Sequence, residues 1–148
     1  MAKRGINVMD RNYVPIPGTN PAKYTTSFDK EFDRVFQQLL DRQKAAMTGF
    51  IYTLPMDFNG YIPTHHSNVS QPMTGNYEQD LANSRHKRIY MSNRFEQRRA
   101  QNTQPFLLQT NPRDTGEILS DLSLPIYING RHWGAYITGF DSQLLLDN

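Results

Sequence analysis

The chain has 148 residues, the length of one ordinary domain. Hydrophobic residues at 37% and 17 aromatic side chains (eight Phe, eight Tyr, one Trp) suffice for a core and exclude a disordered polyelectrolyte. A net charge of +2 is too small to imply nucleic acid, and the lack of cysteine excludes disulfides, thiolate metal sites and cysteine nucleophiles.

The opening Met1-Ala-Lys-Arg-Gly-Ile-Asn-Val puts no apolar stretch behind its basic pair, so no secretory signal is expected. No later apolar run approaches the roughly 18 residues needed to span a bilayer. Residues 1–21 form an extended lead-in, because Val14-Pro-Ile-Pro-Gly-Thr-Asn-Pro21 is dense in helix and strand breakers. A single domain is expected over 22–148.

A helix follows. Thr26 or Ser27 can cap it, and Asp29 and Glu31 favour its positive end. Phe28, Phe32, Val35, Phe36, Leu39 and Leu40 recur at spacings of three and four, which makes one apolar stripe for a core or a dimer seam. The pattern predicts a helix end near Met47 to Gly49. Phe50-Ile-Tyr-Thr-Leu54 and Tyr61-Ile-Pro-Thr-His65 then read as a hairpin about the Asp57-Phe-Asn-Gly60 turn. Residues 66–84 are polar, with a short helix near Tyr77 to Ala82. Arg85-His-Lys-Arg88 is a basic run, and Ile89 to Ala100 reads as helical.

The last third is β. Phe106 to Thr110 is a strand, Asn111 to Gly116 a turn and Leu122 to Ile128 a strand. Asn129-Gly130 supplies the two positive φ angles of a type I′ hairpin, so Arg131 to Phe140 returns. An uninterrupted register opposes Tyr127 to His132, Ile126 to Trp133 and Leu124 to Ala135. One face then carries Leu124, Ile126, Trp133, Ala135 and Ile137. The other carries Ser123, Tyr127, His132, Tyr136 and Thr138, an aromatic and hydrogen-bonding surface suited to a polar small molecule. The fold class is α+β, with about five antiparallel strands and helices on their faces.

No nucleotide-binding or nucleophile-elbow motif is present. Neighbours in a strand point to opposite faces, so His65 and His66 are not expected to share a metal, and none is predicted. The basic residues Arg85, Lys87, Arg88, Arg94, Arg98 and Arg99 fit the gripping of a carboxylate or a solvated face.

Four segments carry more. These are Asp57-Phe-Asn-Gly-Tyr-Ile-Pro-Thr-His65, Asn102-Thr-Gln-Pro-Phe-Leu-Leu-Gln-Thr110, Arg113-Asp114 and Asp121-Leu-Ser-Leu-Pro-Ile-Tyr-Ile-Asn-Gly-Arg-His-Trp-Gly134. With the lead-in Tyr13 to Pro21, they resemble a C-terminal domain that some bacterial methyl-accepting chemotaxis proteins carry after their signalling coiled coil. The resemblance runs over about residues 10–140, and its most specific motif lies between Pro125 and Gly134. It implies a Cache- or PAS-like sensor fold: a long N-terminal helix, a five-stranded antiparallel sheet and a pocket between the sheet and the irregular middle. It also implies a cytoplasmic, non-enzymatic ligand-sensing module. The Arg-x-Trp-Tyr motif of amino-acid-binding Cache domains is absent, with Arg88-Ile-Tyr90 a partial echo, so no particular ligand follows.

The expected pocket residues are Arg88, Tyr90, Gln109, Tyr127, His132 and Tyr136, with Arg88 pairing an acidic group of the ligand. The expected partners are a small molecule, for which an anion suits Arg88, and a second copy joined through the Phe28 to Leu40 helix within a larger receptor. No nucleic acid, membrane insertion or cofactor is expected. A ligand-free structural or dimerisation module is the rival reading. Haem held by His65, His66, His86 or His132 is a further alternative that PAS-like folds leave open.

Overall fold

A computed structural model describes residues 5–112 and 118–146. The described residues are α+β. The elements are β1 (Val14–Pro15), β2 (Tyr24–Thr25), α1 (Asp29–Ala45), β3 (Phe50–Asp57), β4 (Tyr61–Ile62), α2 (Tyr77–Asn83), β5 (Arg88–Ile89), α3 (Arg94–Gln101), β6 (Leu107–Pro112), β7 (Ile118–Ile128) and β8 (Arg131–Asp141). The chain forms two compact units. The first joins Met1–Asp41 to Tyr61–Ile89, and the second joins Arg42–Gly60 to Tyr90–Asn148.

In the first unit, β1 pairs with β2 and β4 pairs with β5, each antiparallel. The start of α1 is held by a carboxylate. Thr26 donates its backbone N–H to Asp29 Oδ2 at 2.9 Å and its hydroxyl to Asp29 Oδ1 at 2.6 Å. This is the reverse half of a capping box: the Thr26 hydroxyl, expected to accept from a first-turn N–H, donates to Asp29 instead. The Tyr61 hydroxyl donates to the same carboxylate at 2.9 Å and anchors β4 to the helix start. Phe28, Phe32 and Leu40 of the predicted stripe are buried, whereas Val35 and Leu39 are 40% and 39% exposed. The helix stops at Ala45, short of the predicted end, and Gly49 takes a positive φ a few residues on.

The second unit holds an antiparallel sheet of four strands in the order β3-β8-β7-β6. Five were expected. The missing one is the predicted return strand Tyr61 to His65. Only Tyr61–Ile62 is extended, and it pairs with β5 instead of β3. Asp57 closes its turn through a Gly60 N–H to Asp57 carbonyl bond of 2.9 Å. Pro63 then offers no donor to continue a ladder. The helix predicted over Ile89 to Ala100 is confined to α3, whose Asn93 side chain caps it by accepting from the Glu96 N–H. The Asn76-capped α2 lies where a short helix was predicted. Of the predicted turn Asn111 to Gly116, Asn111 and Pro112 belong to β6, and the rest lies outside the described residues.

The Asn129-Gly130 turn forms with φ of 52° and 75°. Tyr127 opposes His132 as predicted, but the register then slips by one. Ile126 opposes Gly134, and Leu124 opposes Tyr136. Trp133 is the extra, bulged residue, and its carbonyl accepts from the Phe58 N–H at 2.7 Å. The slip exchanges the faces of β7 relative to β8. Leu124 therefore shares a face with Tyr136 and Thr138, and Ser123 shares one with Ala135 and Ile137. That corrects the two faces read from an uninterrupted hairpin.

Candidate functional site: a buried Arg-Asp-Tyr row beneath helix α3

The sheet registers place Tyr52, Gly139, Asp121 and Gln109 in one row across β3, β8, β7 and β6, on one face of the sheet. The next row on that face is Leu54, Ile137, Ser123 and Leu107. Helix α3 covers this face, packing on β6, β7 and β8. Two polar ties fix it there. The Ser123 hydroxyl donates to the Arg99 carbonyl at 2.6 Å, and Asn102 Nδ2 donates to the Ser123 carbonyl at 3.1 Å.

Arg99 reaches from α3 onto the row. Its Nη1 donates to Asp121 Oδ2 at 3.1 Å and to the Tyr52 hydroxyl oxygen at 3.0 Å. The Tyr52 hydroxyl donates to the same Asp121 oxygen. The guanidinium also lies 5.2 Å from the centre of the Phe95 ring, within cation–π range. Tyr52 can cross β8 to reach Asp121 because the residue between them is Gly139. A Cβ at that position would overlap the Tyr52 ring.

Asp121 has no exposed surface and Arg99 is 7% exposed. Burial pushes the Asp121 carboxyl above the ordinary carboxylate range, and the Arg99 guanidinium opposes that shift. Burial, reinforced by the charge of Asp121, pushes the Tyr52 hydroxyl well up, so it stays protonated and donates. Two atoms of the cluster are left over. Asp121 Oδ1 accepts no hydrogen bond from another protein group, and Arg99 Nε donates none to one, though both are buried. Unmatched polar atoms in a low-dielectric interior are costly.

The six residues expected to line one pocket are dispersed. Gln109 is in the row, beside Asp121, and its Nε2 donates to the Phe95 carbonyl at 3.1 Å. Tyr136 lies on the opposite sheet face and hydrogen-bonds Gln43. Tyr127 and His132 pair at the hairpin, with ring centres 5.3 Å apart and Tyr127 52% exposed. Phe58 meets the His132 ring edge-on at 5.6 Å. Tyr90 donates its N–H to the Gly60 carbonyl at 2.8 Å. Arg88 is in the first unit and donates to the Leu81 carbonyl at 3.2 Å.

Sequence reasoning missed Asp121, Arg99 and Tyr52 as a group. The signal was an aspartate in the middle of the strand Ile118-Leu-Ser-Asp-Leu-Ser-Leu124. Strands are poor in aspartate, and a buried one needs a cation or several hydrogen-bond donors.

Several polar groups of the first unit are engaged within its own fold. Lys23 is buried and donates to the His86 carbonyl at 2.7 Å, with its Nζ 3.2 Å from His86 Nδ1. Burial lowers Lys23 to about 8 and His86 to about 4. Lys87 pairs with Asp33 at 3.0 Å, and His66 Nδ1 lies 3.3 Å from Asp41. A surface depression of about 270 Å³ runs past Met73, Thr74 and Asp80. The Asp80 carboxylate there is already engaged by the Thr74 N–H, the Thr74 hydroxyl and the Gly75 N–H. Among the described residues no cluster of three or more metal-ligating side chains occurs, and no helix is long and apolar enough to cross a membrane.

Comparison with protein-family models, with curated proteins and with solved structures finds no match to this chain.

Proposed function

We propose that this chain is a non-enzymatic, small-molecule-sensing domain of a bacterial chemotaxis receptor, built on a Cache- or PAS-like plan and working in the cytoplasm. The ligand binds over the row formed by Tyr52, Asp121 and Gln109, beneath α3. The observation that carries the reading is the buried Arg99–Asp121–Tyr52 cluster with its two unmatched atoms. It lies on a sheet face covered by one eight-residue helix. The motif resemblance supplies the receptor context. In this reading Gln109 is the one residue of the sequence-derived pocket that belongs to the site, and Arg99, already paired with Asp121, is the arginine at the site in place of Arg88.

The arrangement suits binding better than catalysis. Tyr52 is held protonated, and Arg99 is engaged with Asp121, so neither serves as a nucleophile or base. Signalling requires that the ligand bind two states of the domain with different affinity. Helix α3 is the element that would move, because its ties to the sheet, through Ser123 and Asn102, flank the cluster.

A thermal-shift screen of the purified protein against polar metabolites tests this. We expect at least one compound to raise the melting temperature in the unmodified chain and to lose that effect in Asp121→Asn. A panel with no active compound, or actives indifferent to Asp121→Asn, would contradict the assignment.

The rival reading, a ligand-free dimerisation module, draws on a separate observation. Val35 and Leu39 are exposed apolar residues one turn apart on α1. The same pair would also serve a dimeric sensor, so dimerisation by itself does not separate the two readings. Ligand binding does.

A further inference from the structure

The chemistry of the two unmatched atoms narrows the ligand. Asp121 Oδ1 is an acceptor and needs an N–H or O–H donor. Arg99 Nε carries a hydrogen and needs a lone pair. The charges of Arg99 and Asp121 already oppose one another within a 3.1 Å ion pair. A cation entering the site would satisfy Asp121 and add a charge beside Arg99. An anion would satisfy Arg99 and add one beside Asp121. Either would bring a net charge into a buried place, which is costly.

Resting on the sensing role proposed above, we infer that the site takes a compact, net-neutral group carrying a hydrogen-bond donor next to a carbonyl-type acceptor: a primary carboxamide, a urea or the lactam edge of a heterocycle. The donor meets Asp121 Oδ1 and the carbonyl oxygen meets Arg99 Nε. Entry is from the β6 side. Burial is complete at Asp121 and relaxes to half-buried at Gln109, and β6 is the edge strand of the sheet. Gln109 is itself a carboxamide. With its Nε2 occupied by the Phe95 carbonyl, it stands at the rim as a second polar contact for the incoming group. This differs from the anionic ligand expected from Arg88.

The test uses three probes of nearly equal size on the unmodified full chain: acetamide (neutral, donor and acceptor), acetamidinium (cation, donors only) and acetate (anion, acceptor only). The readout is the side-chain Nε–H resonance of Arg99 in a ¹⁵N-labelled sample, assigned by its loss in Arg99→Lys. We expect acetamide to move this resonance downfield in a saturable manner and the two ions to leave it in place at equal concentration. A resonance moved by acetate or acetamidinium as strongly as by acetamide would overturn the inference. So would one moved by none of them. Neither result depends on whether a variant at Asp121 folds. If the metabolite screen yields a ligand while acetamide leaves Arg99 unmoved, the inferred ligand class fails and the sensing role stands. If the screen yields nothing, the sensing role fails with it.

Discussion

At the scale of single residues, the Arg99–Asp121 pair makes a quantitative prediction. Removing one partner strands the other as a buried charge, and such truncations cost about 3–5 kcal/mol. Arg99→Met alone and Asp121→Leu alone should each destabilise by that order, whereas the double variant should cost distinctly less than their sum. Urea denaturation of the four proteins measures this, and strict additivity would refute the coupling. Two glycines are required by close approach. A Cβ at Gly134 would overlap the Met56 carbonyl and lie 2.6 Å from Asp57 Cα, all of it backbone. At Gly139 the obstacle is the Tyr52 ring, which can swing away. Gly134→Ala should therefore destabilise more than Gly139→Ala, with both in the range of about 1–3 kcal/mol or above for overpacking. The same urea titrations rank them.

The Lys23–His86 contact carries a pH signature. The folded state holds His86 near 4, below its ordinary 6.5, so the unfolded chain binds the proton first as the pH falls. Stability should drop between pH 6.5 and about 4 from this group. A second loss should come below 3.8 from Asp10, whose carboxylate is held low by the Ser27 and Asn12 N–H groups. Lys23 has the same sign at the alkaline end. Its folded value of about 8 lies below 10.5, so stability should recover as the pH rises from 8 towards 10.5. Urea midpoints across pH check this, and in His86→Gln the step between 6.5 and 4 should shrink.

At the scale of elements, what was legible followed local rules. The α1 helix, the short helix α2 and the Asn129-Gly130 turn each rest on residues within a few positions of one another, and each formed, though Val35 and Leu39 of the α1 stripe stay exposed. What failed depended on distant partners. The Trp133 bulge exists because its carbonyl bonds the N–H of Phe58, 75 positions earlier, so the β7–β8 hairpin alone could not reveal it. That single residue exchanged the faces of β7. It moved Ser123, together with Asp121 two positions before it, onto the face under α3, and it left Leu124 exposed. Tyr61–Ile62 was drawn away from β3 by β5, another distant partner. The candidate site was hidden for the same reason. Its members come from β3, α3 and β7, and only the four-strand register aligns Tyr52 with Asp121. Within α1, the exposed Val35 and Leu39 predict self-association. Val35→Asp with Leu39→Asp should convert a dimer to a monomer in light scattering without loss of helix, because both side chains lie outside the core.

At the scale of the whole molecule, two explanations compete for the motif residues on which the proposed chemoreceptor resemblance rests. Asp57, Gly60 and Gly134 have structural duties: Asp57 closes a turn, Gly60 admits the Tyr90 carbonyl and Gly134 admits β3. Much of the resemblance is thus a signature of how the chain folds. The sensing claim rests on Arg99, Asp121 and Tyr52, which make a charged, sealed and incompletely matched cluster where apolar packing would be more stable. A native mass spectrum of the purified protein tests that claim most directly. We expect a folded species heavier than the bare chain by the mass of a small neutral molecule, released on denaturation and absent from Asp121→Asn. A folded species at the bare chain mass, unchanged on incubation with a metabolite extract, would contradict it.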